Sequence, residues 1–113
     1  MNGDAGPVRD QFNLAREAWA AEGKAAPYLA TGFWCCLAED ADARLKKYVF
    51  DYLRIAGDEI GKIISDTMYT SNEDAVRRVL DAIEAEGCDE CFLVPATHEL
   101  VEIDRLAEIA VKR

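Results

Sequence analysis

The strongest hydrophobic pattern in the chain spans residues 71–95, where helical spacing of apolar residues gives way to a continuous apolar run. Ser71 has the side chain of an N-cap, and Asp74 occupies the acidic third position after it. The next apolar residues recur at helical spacing and are Val76, Val79, Leu80 and Ile83. Gly87 is placed to end this helix. The apolar run 91–94 then predicts a strand buried on both faces, as in a parallel sheet covered by helices.

Helical spacing of apolar residues recurs in four other stretches, which are 8–22, 39–56, 58–64 and 97–113. Asp4 is available to cap the first of these helices, and Thr97 is the expected N-cap of the last. Lys112 and Arg113 suit the C-terminal end of that last helix. Its predicted buried side consists of Leu100, Ile103, Leu106, Ala107 and Ala110.

A second strand is predicted within 27–37, which is apolar, rich in aromatic residues and bounded by turn signals. Gly32 lies inside it and indicates a bulge or a close approach of two backbones. The order is therefore helix, strand, three helices, strand, helix. Strands that alternate with helices predict an α/β fold with parallel pairing.

Two strands are too few for an independent parallel sheet, because both edges would stay unpaired. We therefore expect residues 1–113 to form a single partial domain of two parallel βα units, rich in helix and incomplete as a single chain. Either a longer barrel or sheet, or another copy of the chain, would supply the missing strands.

Composition restricts the partners of the chain. Its 22 acidic and 13 basic residues give a formal charge of −9, which argues against nucleic acid or an anionic membrane as a partner. No apolar run approaches the ~20 residues of a membrane span. The start of the chain has no signal-peptide pattern, and four cysteines without one are expected to be reduced thiols. These features together predict a cytoplasmic protein.

Two segments resemble the C-terminal portion of the bacterial luciferase-like, flavin- or deazaflavin-dependent monooxygenases. The first is TSNEDAVRRVLDAIEAEGCDECFLVPAT, in which the turn Glu86-Gly87-Cys88-Asp89 matches the turn before the last barrel strand of that family. The second is PYLATGFWCCLAEDADARLKKYVFDYL, which is similar to the preceding strand, its acidic turn and the start of the next helix. These motifs are structural and not catalytic.

The resemblance implies the last quarter of a (β/α)₈ barrel, whose sites lie beyond the carboxyl ends of the strands. Trp34, Thr97 and His98 are then the candidate cofactor-binding residues, with Phe33 beside Trp34. Helix residues Tyr48, Asp51, Tyr52 and Arg54 are candidates to reach over the barrel mouth. The alternative roles are structural: Thr97 caps a helix, His98 is exposed, and the aromatic residues fill a core or an interface.

The implied cofactor is FMN or a deazaflavin in the full-length family, and we expect this chain alone to bind neither. No catalytic residue is identified. The pairs Cys35-Cys36 and Cys88-x-x-Cys91 raise the alternative of a zinc or redox site. Neighbours in a strand point to opposite faces, and the C-x-x-C enters a strand instead of a helix. Buried apolar thiols without a metal are therefore the preferred interpretation.

Three functional hypotheses follow. The first is a C-terminal fragment of a luciferase-like flavin-dependent oxidoreductase or monooxygenase that is inactive alone. The second is a small self-associating α/β protein with a binding or structural role and no catalysis. The third is a thiol or metal module. The single histidine, His98, excludes a three-histidine metal site within one chain, and no glycine-rich phosphate loop is present.

Overall fold

A computed structural model describes residues 5–111 of the chain. The helices are α1 (Gly6–Ala21), α2 (Ala41–Leu53), α3 (Asp58–Asp66), α4 (Glu73–Ala85) and α5 (Val101–Val111), and the strands are β1 (Ala30–Cys35) and β2 (Glu90–Pro95). A 3-10 turn, Arg54–Ala56, joins α2 to α3. The predicted order of helices and strands is confirmed. The predicted cap Asp4 and the basic end at Lys112 and Arg113 lie outside the described residues.

The two strands pair in parallel, as the sequence predicts, in a register that places Gly32 opposite Phe92 and Trp34 opposite Val94. The pairing is tight at Gly32, where an added Cβ atom would lie 2.9 Å from the carbonyl oxygen of Phe92. Gly32 therefore marks a close approach of two backbones.

One face of this sheet is covered by α4 and α5. Phe33 and Cys35 point from β1 into that interface, and Cys91 and Leu93 pack beside them from β2. The helices contribute Val76, Val79, Leu80, Ile83, Leu106 and Ile109. This apolar layer is the larger of the two core clusters in the part of the chain that the structure describes.

The other face of the sheet is largely open, so the prediction of a strand buried on both faces is wrong for β2. Phe92 is 54% exposed and Val94 37% exposed. Burial along β2 alternates between half-buried and exposed residues. The reason is that the continuous apolar run lacks a covering layer on the face of Gly32, Trp34, Phe92 and Val94.

A second cluster lies beyond the carboxyl ends of the strands, where the hairpin of α2 and α3 packs. Its buried members are Cys36, Ala38, Leu45, Val49, Met68 and Ala96. Trp34 packs partly against this cluster from the open face of the sheet. The α2–α3 hairpin therefore stands over one end of the sheet, next to its uncovered face.

Two predicted helix caps are wrong, each for a physical reason. Helix α4 is capped by Asn72, whose Oδ1 accepts a hydrogen bond from the Ala75 N–H at 2.9 Å. Ser71 precedes the cap. Thr97 is not the cap of α5, which begins four residues later, and its Oγ1 instead accepts a hydrogen bond from the Glu99 N–H. Gly87 ends α4 with a positive φ of 82°, as predicted.

Helix α5 buries a different side from the one its pattern predicts. Its buried residues are Glu102, Leu106 and Ile109, whereas Leu100 is 78% and Ile103 55% exposed. Glu102 is turned inward because its Oε2 accepts a hydrogen bond from the Leu37 N–H at 2.8 Å. The apolar stripe that contains Ile103 consequently faces away from the core.

Helix α1 contacts the body of the fold mainly through Phe12 and Arg16. Phe12 is buried, and Arg16 Nη2 donates a hydrogen bond to the carbonyl oxygen of Glu86 at 2.8 Å, at the C-terminal end of α4. None of the helices within residues 5–111 is long and apolar enough to cross a membrane.

Candidate functional site

The candidate site consists of two adjoining cavities, one along the open face of the sheet and one at the carboxyl ends of the strands. We call them the aromatic groove and the polar cleft. The aromatic groove has a volume of about 450 Å³ and is lined by Gly32, Phe33, Trp34, Tyr48, Tyr52, Phe92 and Val94. The polar cleft has a volume of about 420 Å³ and is lined by Arg44, Lys47, Tyr48, Asp51, Ala96, Thr97 and His98. Tyr48 belongs to both, so the two cavities meet at its side chain.

The aromatic groove owes its shape to the strand register. Gly32 has no side chain, so the floor of the groove is backbone at that point, while Phe92 and Val94 line its side. Trp34 and Tyr52 stand at the helical end with ring centroids 5.6 Å apart and ring planes inclined at 60°. A tilted arrangement is one of the geometries that aromatic pairs prefer.

The polar cleft is built from the segment that follows β2 and from one face of α2. Arg44, Tyr48 and Asp51 recur at intervals of four and three residues, which puts them on the same side of the helix. Ala96, Thr97 and His98 line the opposite wall, because the chain leaves the sheet there. The cleft thus combines hydroxyl, imidazole, guanidinium and ammonium groups.

The cations of the polar cleft are paired with carboxylates. Arg44 Nη1 lies 2.8 Å from Glu99 Oε1, and Lys47 forms an i, i+4 pair with Asp51. The hydrogen bond that Arg44 donates to the Glu99 carboxylate raises the pKa of Arg44 and lowers the pKa of Glu99. Both side chains of the first pair are more than a third exposed. The cleft can therefore orient a polar group, but its charges are largely balanced within it.

The three predicted cofactor-binding residues are distributed over both cavities. Trp34 lies half-buried in the aromatic groove, and Thr97 and His98 lie together in the polar cleft. The structure joins them only through Tyr48. His98 is exposed, as the alternative, structural interpretation predicts.

Among the helix residues expected at the barrel mouth, Tyr48, Asp51 and Tyr52 line these cavities, but Arg54 does not. Its guanidinium lies 5.6 Å from the centre of the Phe50 ring and beside Asp58. The reason is that Arg54 belongs to the 3-10 turn, which carries its side chain away from the strand ends.

Sequence reasoning missed Arg44, Lys47 and Glu99. The helical spacing of Arg44 with Tyr48 is a usable signal for Arg44, since Tyr48 is itself predicted to reach over the barrel mouth. Glu99 carries no comparable signal, because its contact with Arg44 joins residues 55 positions apart.

None of the four cysteines forms a disulfide bond, and Cys88 and Cys91 pack against the same cluster as Cys35. Cys35 belongs to the cluster under α4 and α5, and Cys36 to the cluster under α2 and α3. Burial raises the pKa of the Cys35 thiol to about 12 and also raises the pKa of Cys36, so both are neutral at physiological pH. No group of three or more His, Cys, Asp or Glu residues within 5–111 is arranged to hold a metal ion.

Comparisons with known proteins leave the chain without an assigned family: no family model matches it, and no match was found among curated proteins or solved structures.

Proposed function

We propose that the chain forms the last two βα units of a luciferase-like, flavin-dependent oxidoreductase, and that the aromatic groove contacts the flavin ring. The observation that carries the proposal is the one-sided covering of a parallel sheet. In a (β/α)₈ barrel the helices lie outside and the inner strand faces meet at the centre, whereas doubly wound sheets carry helices on both faces. Here α4 and α5 cover one face, and the opposite face is apolar and open.

The location of the cavities supports the same proposal. The polar cleft lies at the carboxyl ends of the parallel strands, which is where barrel enzymes bind their ligands, and the aromatic groove extends from it along the open face of the sheet. Each has a volume within the ~300–1,000 Å³ range of small-molecule sites. A site that opens at this end of the strands would be completed by the remaining strands of the barrel.

The types of side chain that line the two cavities suit a flavin. Trp34, Tyr52 and Phe92 offer aromatic surface to a planar ring, and Thr97 and His98 offer hydrogen-bonding groups to its polar substituents. A bound flavin would supply hydride transfer or oxygen activation. This chain would bind and orient the cofactor, exclude water from one side of the ring, and leave the reacting groups to the rest of the barrel.

The first test is the coding DNA upstream of Met1. An open frame that continues into further βα units would agree with the proposal. An in-frame stop codon followed by a ribosome-binding site just before Met1 would contradict it.

The second test uses tryptophan emission in the complete polypeptide. Residues 1–113 contain two tryptophans, and comparison of the complete polypeptide with its Trp34→Phe and Trp19→Phe variants gives the emission of each by difference. We expect FMN or a deazaflavin to quench the emission of Trp34 far more than that of Trp19, which is on α1. Trp34→Ala should weaken flavin binding about tenfold, as expected for an aromatic contact of about 1 kcal/mol. Equal quenching of both tryptophans would refute the proposed contact.

A second candidate function is self-association into a binding or structural protein without catalysis. The observation in its favour is that the two-stranded sheet of residues 5–111 has unpaired edges and an open apolar face. The charge of −9 on each copy opposes it. The molecular mass from light scattering tests this candidate, since a folded monomer at all concentrations would exclude it.

A further inference from the structure

The outer edge of β2 borders a third cavity, which we call the edge groove. It has a volume of about 470 Å³ and lies between β2, α4 and α5. Its lining is apolar and consists of Leu80, Cys91, Phe92, Leu93, Pro95, Ile103, Leu106, Ala107 and Ala110. One wall of the groove is therefore the exposed apolar stripe of α5, which the core of this chain does not bury.

The two edges of the sheet are not equivalent. Beside β1, the carbonyl oxygen of Thr70 accepts a hydrogen bond from the Cys36 N–H. The Thr70 hydroxyl donates a second hydrogen bond to the carbonyl oxygen of Trp34. The segment that contains Thr70 thus covers the end of β1. Along β2, β1 is the only strand neighbour within residues 5–111. The β2 edge is therefore the more open of the two and can accept another strand.

The start of β2 adds an electrostatic feature. A further cavity of about 300 Å³ continues from the edge groove, with which it shares Leu80 and Cys91. Its lining includes the acidic residues Glu84, Asp89 and Glu90. One Asp89 oxygen accepts a hydrogen bond from the Leu29 N–H at 2.7 Å, and Glu90 accepts one from the Tyr28 hydroxyl. We call this cavity the acidic cleft. Its negative charge favours a cationic side chain on a ligand bound in the edge groove.

The total amount of exposed surface agrees with a missing partner. The accessible surface of the chain is 7112 Å², whereas a folded monomer of 12.5 kDa is expected to expose about 6,200 Å². The excess of about 900 Å² is close to the ~800 Å² that each partner buries in a stable interface. The radius of gyration is 15.4 Å, against about 13 Å for a compact domain of this length.

We propose that the outer edge of β2 binds a parallel β-strand that carries a Lys or Arg at its N-terminal end. Alternate apolar side chains of this strand enter the edge groove, and the others extend the open face beside Phe92. In a parallel pair both strands start at the same end, so the N-terminal cation lies beside the acidic cleft. The parallel direction rests on the proposed barrel, but the docking site itself depends only on the edge and the groove.

Fluorescence anisotropy with labelled eight-residue peptides tests the proposal on the 113-residue chain. The probes alternate Val and Thr and carry Lys at the N-terminus, Lys at the C-terminus, or Glu at the N-terminus. A peptide with a central Pro is the negative probe, because it cannot complete the ladder. We expect the N-terminal Lys peptide to bind most tightly, by about threefold over the N-terminal Glu peptide, in keeping with an exposed ion pair.

Variants of the chain locate the binding. Ala107→Gln places a longer side chain in the groove from an exposed helix position, and we expect it to weaken binding about tenfold. Ala43→Gln makes the same change at an exposed position of α2 and should leave affinity within about twofold. The double variant Glu84→Gln, Glu90→Gln should abolish the preference for Lys, while Glu17→Gln on α1 should not.

Each outcome decides a separate point. No binding below about 1 mM by any peptide overturns the docking site. Tightest binding of the C-terminal Lys peptide would mean an antiparallel strand, which leaves the docking site but contradicts the barrel on which the proposed function depends. A chain that is dimeric by light scattering and becomes monomeric on Ala107→Gln identifies a second copy as the occupant and overturns the stated partner.

Discussion

Glu102 connects the last helix to the segment that follows β1. Its carboxylate is fully buried, accepts a hydrogen bond from the Leu37 N–H, and pairs with Arg105 Nη1 at 2.8 Å. A buried carboxylate is tolerated only when both of its oxygens have partners, and here both do. This side chain fixes the rotation of α5 about its axis, and so determines that Ile103 faces the edge groove.

We expect Glu102→Leu to destabilise the chain by about 1–3 kcal/mol, because the Leu37 N–H loses its acceptor. Glu102→Gln retains an acceptor oxygen but loses the ion pair, so its stability should fall between Glu102→Leu and the wild type. Urea unfolding measures both. Glu108→Leu, at an exposed position of the same helix, is the matched control and should change stability by less than about 0.5 kcal/mol. A Glu102→Leu protein as stable as the wild type would disprove the role assigned to this hydrogen bond.

Cys35 links stability to alkaline pH. Burial raises its pKa from 9.0 to about 12, so the thiol stays protonated in the folded chain while it ionises in the unfolded chain near 9.0. The stability that this thiol contributes is therefore complete below about pH 9 and is lost as the pH rises towards 12.

The expected consequence is that the wild type loses more stability than Cys35→Ala between pH 8 and pH 11. The difference in unfolding free energy between the two proteins should shrink by more than about 1 kcal/mol over that interval, since each pKa unit corresponds to about 1.4 kcal/mol. Urea titrations at each pH measure it. A difference that does not change with pH would show that the folded thiol ionises normally.

At the scale of single elements, α4 shows how a cap is chosen between two suitable neighbours. Ser71 and Asn72 both have N-cap side chains, and the apolar stripe that follows does not distinguish them. In the structure Asn72 has extended dihedral angles and its Oδ1 reaches Ala75 N, while Ser71 makes only long contacts of 3.4 Å to Asp42 and to the Tyr69 carbonyl oxygen. Because Ser71 is directed towards Asp42 and Tyr69, Asn72 is the residue that caps the helix.

Asn72→Ala should cost about 1 kcal/mol of stability, because the first turn of α4 loses an acceptor. Ser71→Ala, one residue earlier, should cost less than about 0.5 kcal/mol. Thermal or urea unfolding of the two variants compares them directly. Equal losses, or a larger loss for Ser71→Ala, would contradict the assignment of the cap.

Local signals thus predict the existence and type of the five α-helices and two strands within residues 5–111, because periodicity, glycines and prolines act within a few residues. They could not predict what each apolar stripe packs against. Leu100 and Ile103 have the spacing of a buried face, yet both are exposed since the side of α5 is set by Glu102. The candidate site was predictable at Trp34, Thr97 and His98, which follow from strand ends, but not at Glu99, whose partner Arg44 is distant in sequence.

At the scale of the whole molecule, the two faces of one small sheet have opposite surroundings. Phe33 and Phe92 are the same residue type on paired strands, but Phe33 is 2% exposed beneath α4 and α5 and Phe92 is 54% exposed on the open face. Their different burial makes them a matched pair for testing whether the open face is truly uncovered in solution.

Phe33→Ala should destabilise the isolated chain by about 3–5 kcal/mol, because a fully buried ring leaves a cavity. Phe92→Ala should cost less than about 1 kcal/mol, because over half of its surface is already in water. Urea unfolding at low protein concentration measures both, and Phe33→Leu serves as a milder variant if Phe33→Ala does not fold. Repeating the measurement in the presence of the strand peptide, or in the complete polypeptide, should raise the cost of Phe92→Ala, since the added strand packs beside that ring. A large cost for Phe92→Ala in a dilute monomer would mean that this chain already covers its own sheet, and would remove the physical basis for both the barrel and the docked strand.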